Sequence, residues 1–252
     1  MLTASQKRQF HKEGYIVVRG VIPKVMANAA RRAINHSIGD VGRGQDDLGN
    51  YRVGQYCDDL KNTSVITNLY NKTPVIPIAE SLIGEGNVLP VGGAQLALRF
   101  PGSAAGDLSE PRGHLDGLGN GKNGMAKGVY RRGFTAFAVI YLADVPKPWS
   151  GNFTVWPKSH TAFAEHFQTH GHEVLKNGTP RIDMPEPPIH VTGKTGDLIL
   201  AHHQLLHTGG PNASPDVRLA VIARLQHKDV KEIGKDAYTD IWREWPGIQE
   251  IL

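Results

Sequence analysis

Along this chain the hydrophobic spacing changes from a helical period to a strand-like one near residue 86. Before that point the pattern predicts short helices. Thr3 stands three residues ahead of Gln6, the spacing of a capping box. Phe10 and the stem of Lys7 share the buried side of that helix, and Gly14 ends it. Tyr15-Ile16-Val17-Val18 reads as a short strand. Pro23 suits a first helical turn, and Val25, Ala29, Ala33 and Ile34 recur at helical spacing up to Asn35. Residues 38–59 are rich in Gly and Asp and read as an irregular loop, followed by helical patterns at about 62–70 and 74–83.

Beyond that point strands dominate. Val88 to Val91 and Ala94 to Phe100 are strand-like, and Pro101-Gly102 breaks the second. Phe134 to Leu142 is a long apolar strand, and Asn152 to Trp156 is another. Ser159 or His160 opens a short helix reaching Phe167, and 168–188 is irregular. Strands resume at 189–191, 197–201, 205–208 and 217–226. Many short strands between frequent turns predict a jelly roll or barrel. The fold is therefore mainly β with flanking helices, the helices packed on one sheet. No internal repeat or linker divides the chain, so 1–252 reads as a single domain. It would have an N-terminal helical buttress at about 1–85, a β core at about 87–226 and a C-terminal tail at 227–252.

Composition narrows the classes. Hydrophobic content of 40% and charged content of 21% suit a globular chain, and 29 Gly with 16 Pro favour turns. The single cysteine, Cys57, excludes an intrachain disulfide and fits a reducing compartment. No apolar run reaches the length of a membrane span, and the first residues form no apolar signal region. The expectation is a cytoplasmic protein without a membrane partner. A net charge of +4 spread over scattered lysines and arginines gives no basic tract for nucleic acid. The sequence leaves the oligomeric state open.

The candidate chemistry starts at His114-Leu115-Asp116. In an extended stretch the outer two side chains share a face, offering an imidazole and a carboxylate to one metal ion. His207 is the best third ligand, with His202 and His203 as competitors. Two histidines and a carboxylate form the facial triad of non-heme iron oxygenases, which leaves positions open for cosubstrate and dioxygen. Arg218, eleven residues past His207, opens the last strand. Its guanidinium fork would bind a carboxylate. Gln95 and Arg99 share one strand face; they point into the barrel mouth near cosubstrate or substrate, or else form a surface link. The Gly-rich stretch 117–132 is either a lid beside the metal or an exposed loop. As a lid, Lys122, Lys127, Arg131 and Arg132 would favour an anionic small-molecule substrate. His170 and His172 form an H-x-H in a loop expected to face solvent. Trp242 and Trp245 are expected to anchor the C-terminal tail onto the barrel.

Four stretches resemble one family in order and spacing. They are Leu2-Thr3 through Gly20-Val21, Gly113-His114-Leu115-Asp116-Gly117, Gly151-Asn152 through Ser159-His160, and Gly196-Asp197 through His207, Asn212 and Arg218. Together they resemble the phytanoyl-CoA dioxygenase family of Fe(II)/2-oxoglutarate-dependent oxygenases. That resemblance implies a double-stranded β-helix with Fe(II), 2-oxoglutarate and O2 as cofactor and cosubstrates. It implies iron held by His114, Asp116 and His207, and the distal carboxylate of 2-oxoglutarate held by Arg218. Thr135 lies where related enzymes offer a hydroxyl to the cosubstrate. Lys158 replaces the family's usual glycine before Ser159, a change expected to affect a turn rather than the chemistry. The implied reaction is hydroxylation, or a related oxidation, of a small molecule with 2-oxoglutarate decarboxylated to succinate and CO2. The competing expectation is a cupin-like metal-dependent isomerase or hydrolase that uses no 2-oxoglutarate and has no need of Arg218.

Overall fold

The computed structural model describes residues 1–41, 56–102, 108–109, 111–121 and 124–252. Helix α1 (Ala4–Glu13) begins with the expected reciprocal cap. Thr3 accepts from the Gln6 backbone, and the Gln6 side chain accepts from the Thr3 N–H at 2.9 Å. Gly14 ends the helix at φ +79°, where an added Cβ would lie 2.5 Å from the His160 ring. Strand β1 (Tyr15–Val18) follows, then α2 (Lys24–Val41), α3 (Ser64–Asn71) and α4 (Val75–Ile83). Helix α2 continues past Asn35, correcting the loop expected from residue 38. Ser37 donates to Asp59 at 2.8 Å and Ile38 packs on the helical core, so tertiary contacts extend the helix. Most of that expected loop, residues 42–55, lies outside the described residues.

The strands are β2 (Gln95–Arg99), β3 (Ala136–Tyr141), β4 (Phe153–Val155), β5 (Ile189–Val191), β6 (Leu198–His202), β7 (His207–Gly209) and β8 (Arg218–Leu225). They form two antiparallel sheets, β1-β6-β3-β8-β2 and β5-β4-β7. The expected strand at Val88–Val91 reduces to one bridge, Val88 with His227. Strand β7 starts later than expected because His202 to Leu205 closes a turn, with Leu205 N–H donating to the His202 carbonyl.

Strand parity sorts the side chains into two layers. Leu96, Leu98, Ala136, Ala138, Leu198, Leu200, Leu219 and Val221 face the helices and pack with Phe10, Ile66, Tyr70 and Leu82. Phe137, Val139, Tyr141, Ile199 and Ala201 face the small sheet and meet Phe153, Val155 and Val191. With both faces covered, β3 is buried along its whole length, which is why it reads as a continuous apolar run. The first-third helices thus buttress one face of the larger sheet, and the other face lines the space between the sheets.

Helix α5 (Ser159–His170) is preceded by Lys158 at φ +64°. This left-handed position favours glycine. Lys158 tolerates it with its ammonium 2.5 Å from Glu186, so the departure from the family pattern falls on a turn. A 3₁₀ turn (His172–Asn177), α6 (Val230–Ile233), a second 3₁₀ turn (Gly234–Tyr238) and α7 (Pro246–Gln249) complete the order. Trp245 packs on Phe10 and stacks on His202, while Trp242 meets Phe10 edge-on, which anchors the tail as expected. No helix among the described residues is long and apolar enough to cross a membrane.

Candidate metal centre

Two backbone hydrogen bonds bring the distant candidate ligands together. His114 N–H donates to the His207 carbonyl at 2.9 Å, and His207 N–H returns the bond at 3.3 Å. Strand β7 is itself paired to β4, so His207 is fixed to the small sheet. Between the outer residues of His114-Leu115-Asp116, Leu115 turns into an apolar cluster and its N–H donates to the Thr179 hydroxyl at 3.0 Å. His114 and Asp116 are left facing the same cleft. Gly117 then reverses the chain at φ +86°, where a Cβ would lie 2.1 Å from the Arg131 carbonyl. Among the described residues, one group of three or more His, Cys, Asp or Glu side chains could hold a metal: His114, Asp116 and His207, with ligand atoms within 4.8 Å of one another. Asp116 Oδ1 lies 3.3 Å from His114 Nε2 and 3.7 Å from His207 Nε2.

Protonation favours metal binding. The His207 Nδ1 lies 3.0 Å from the Leu205 carbonyl, which sets Nδ1 as the protonated nitrogen and turns the Nε2 lone pair toward Asp116. Burial, then the neighbouring His114, lowers the His207 pKa to about 4, against smaller opposing effects of Asp116 and the Leu205 carbonyl. Burial by itself would raise the Asp116 pKa. The hydrogen bond to His114 and the fields of His207, Arg224 and His114 outweigh it and hold the carboxyl well below the usual range. At neutral pH the pair is a neutral imidazole and a carboxylate, the forms a divalent ion requires. Two imidazoles and a carboxylate on one side of an open cleft fit iron by donor type.

The cleft encloses about 700 Å³. Its apolar wall includes Phe137, Phe153 and Ile222. Arg218 lies at one end of β8, directly across from Arg99 of β2. It is buried, with Nε donating to the Gly151 carbonyl at 2.6 Å and Nη1 to the Ala97 carbonyl at 2.7 Å. Burial lowers its pKa to about 10, so the guanidinium stays charged at neutral pH. Arg99 Nη2 donates to the Gly209 carbonyl at 2.9 Å. Gln95 also lines the cleft, at the opposite end of β2. Asp197 of Gly196-Asp197 is spent on structure: it accepts from the Gly20 and Lys194 N–H groups and pairs with Arg19 at 2.6 Å.

With that geometry in place, comparison with known proteins is informative. Residues 128–220 match the phytanoyl-CoA dioxygenase (PhyH) family model. That stretch is similar to this family. The matched stretch holds His207 and Arg218, and the fold supplies His114 and Asp116 from outside it. A search of curated proteins finds no match. Among solved structures, the non-heme α-ketoglutarate-dependent carbocyclase SnoK from nogalamycin biosynthesis is similar. It has 19% identity and a TM-score of 0.58, over 90% of this chain and 84% of that one. The epimerase SnoN from the same biosynthesis has 18% identity and a TM-score of 0.57, over 88% and 80%. HygX from Streptomyces hygroscopicus, solved with nickel and 2-oxoglutarate, has 16% identity and a TM-score of 0.54, over 90% and 88%. HygX has also been solved with iron, and with hygromycin B beside nickel and 2-oxoglutarate. These likenesses are of fold.

Around the matched stretch the sequence expectations sort as follows. His202 and His203 do not reach the triad. His202 Nε2 lies 2.9 Å from the Ile241 carbonyl, and His203 packs against Tyr238 and Phe134. Thr135 lies just ahead of β3, its hydroxyl accepts from the His227 N–H at 3.0 Å, and it is not among the residues that line the cleft. Of the stretch 117–132, Gly117 to Asn120 form a cleft wall. Backbone bonds join Arg131 to Gly117 and Gly119 to Val129, and the Tyr130 hydroxyl lies 2.7 Å from His172 Nδ1. Lys122 lies outside the described residues. The sequence reading missed Arg224. Its Nε and Nη2 lie 2.7 and 2.6 Å from Asp116 Oδ2. The signal was strand parity, since Arg218, Ala220, Ile222 and Arg224 alternate onto one face of β8.

Proposed function

We propose that this chain is an Fe(II)/2-oxoglutarate-dependent dioxygenase that oxidises a small molecule. The observation that carries the reading is the convergence of His114, Asp116 and His207 in a cleft that also holds Arg218. We read the two facing sheets as one double-stranded β-helix domain with its helical buttress. His114, Asp116 and His207 would hold iron. Bound together with 2-oxoglutarate and dioxygen, the ion would supply the oxidation of a C–H bond coupled to conversion of 2-oxoglutarate to succinate and CO2. The protein's own work is to bind, orient and exclude water. Arg218, held by two backbone carbonyls, presents a fixed positive charge to the distal carboxylate of 2-oxoglutarate. Arg99 lies beside it across the strand pair and adds charge at the same end. Phe137 and Phe153 flank the His207 ring, at centroid distances of 4.4 and 5.6 Å, and keep the metal's inner side dry. A cleft of this volume accommodates cosubstrate and a small substrate together.

Hydroxylation is the outcome a retained carboxylate at Asp116 favours, because the third protein ligand leaves no vacancy for a halide. Proteins similar in fold include an α-ketoglutarate-dependent carbocyclase and an epimerase, so cyclisation and epimerisation are the alternatives to hydroxylation. The test is anaerobic titration of the whole chain with Fe(II) and 2-oxoglutarate, watching for a weak visible charge-transfer band. The band should appear and should weaken at least tenfold in apparent 2-oxoglutarate affinity in Arg218→Lys, which keeps the charge but loses the fork. Iron binding with no band on adding 2-oxoglutarate would overturn the reading in favour of a metal site of another kind.

A further inference from the structure

The carboxylate of Asp116 has two oxygens, and the structure treats them differently. Oδ1 faces the two histidine Nε2 atoms at 3.3 and 3.7 Å. Oδ2 is gripped by Nε and Nη2 of one guanidinium, that of Arg224, at 2.7 and 2.6 Å. Arg224, 40% exposed, has further contacts on its inner side. Its Nη1 and Nη2 each lie 3.3 Å from Gln95 Oε1, and its guanidinium carbon lies 5.9 and 5.8 Å from the Phe134 and Phe137 ring centres. Strands β2 and β8, which carry Gln95 and Arg224, are paired in register, so the clamp is built on sheet rather than loop.

From this geometry we infer that Arg224 is a positioning residue that restricts Asp116 to binding metal through one oxygen, keeping a position open on the ion. The inference rests on the metal site proposed above. A carboxylate left to itself binds a cation through one oxygen or both. With Oδ2 holding two N–H groups, chelation through both oxygens would break two charge-assisted bonds. Binding through one oxygen would leave a position on a bound ion for a gas ligand beside the cosubstrate. Binding through both oxygens would take that last position. Gln95 acts through Arg224, which gives a role to a residue the sequence placed near cosubstrate or substrate, or else in a surface link.

Nitric oxide, a stable stand-in for dioxygen, reads that last position directly. The experiment uses the whole chain loaded anaerobically with Fe(II) and 2-oxoglutarate, with the nitrosyl signal followed by electron paramagnetic resonance. Arg224→Ala should keep iron and the 2-oxoglutarate band but bind nitric oxide about tenfold or more weakly, the scale of lost outer contacts at metal sites. Arg224→Lys, which can still place one ammonium on Oδ2, should recover part of the loss. Gln95→Ala, which loosens the clamp without removing it, should shift nitric oxide affinity in the same direction by less. Unchanged nitric oxide affinity in Arg224→Ala would overturn the inference, and so would complete loss of iron from the folded variant. Failure of the parent chain to show the band would instead count against the proposed cofactors.

Discussion

Beside the Arg131 backbone that bonds to Gly117 of the cleft wall, Arg132 is tied to the C-terminal tail by a buried ion pair, and the pair's removal has a calculable cost. Arg132 and Glu244 have side chains 1% and 0% exposed. Nη1 donates to Oε1 at 2.8 Å, Nη2 meets Oε2, and Nη1 also reaches the Gly234 carbonyl at 3.4 Å. At an effective dielectric of about 20, charges at this spacing attract by roughly 6 kcal/mol. Taking both ions out of water costs several kcal/mol each, so the pair as a whole contributes little net stability. Removing one partner is different, because the other stays buried and uncompensated. Glu244→Ala should therefore lose about 3–5 kcal/mol. For a chain of this size that corresponds to a melting temperature lower by roughly 6–20 °C. The apolar double variant Arg132→Met with Glu244→Leu should fall near the parent. Thermal and urea unfolding of the three proteins check this. A single-variant cost below about 1 kcal/mol would refute the burial argument. A double-variant cost equal to the two single costs added would refute the desolvation argument.

The remaining predictions concern protonation and a reassigned hydroxyl. Burial lowers the His160 pKa to about 4, and His160 is held neutral against the His11 carbonyl at 3.1 Å. The unfolded chain binds this proton near pH 6.5 and the folded chain only near 4, so stability is intact above 6.5 and falls as pH drops through that window. His160 alone should cost about 2 kcal/mol at pH 5, with His202 and His203, also lowered by burial, adding to it. Urea midpoints at pH 7 and pH 5 measure the loss, and a flat profile would show these histidines to be hydrated. Thr135→Val should cost about 1–3 kcal/mol by stranding the buried His227 N–H, while leaving the Fe(II)–2-oxoglutarate band unchanged. Loss of that band with stability intact would return Thr135 to the cosubstrate site.

Much of the fold was legible because its determinants are local or periodic. The Thr3–Gln6 cap, the Gly14 stop and the apolar run of β3 each depend on spacing that a sequence displays. The metal ligands were legible for a related reason: H-x-D places two donors on one face, and few residue types can serve there. What escaped notice depends on register between distant strands. Arg224 becomes a partner of Asp116 only because β8 pairs with both β2 and β3, which aims its even-numbered side chains into the cleft. Thr135 depends on register too. Its place in the sequence matches a hydroxyl donor, and the start of β3 and the start of the tail at His227 bring a backbone N–H to its hydroxyl oxygen. A buried donor takes a nearby acceptor, and the Thr135 hydroxyl oxygen satisfies the His227 N–H in this way. Family likeness therefore carries over best for residues that only one chemistry can use, such as His207. It carries over least for side chains that backbone groups can claim.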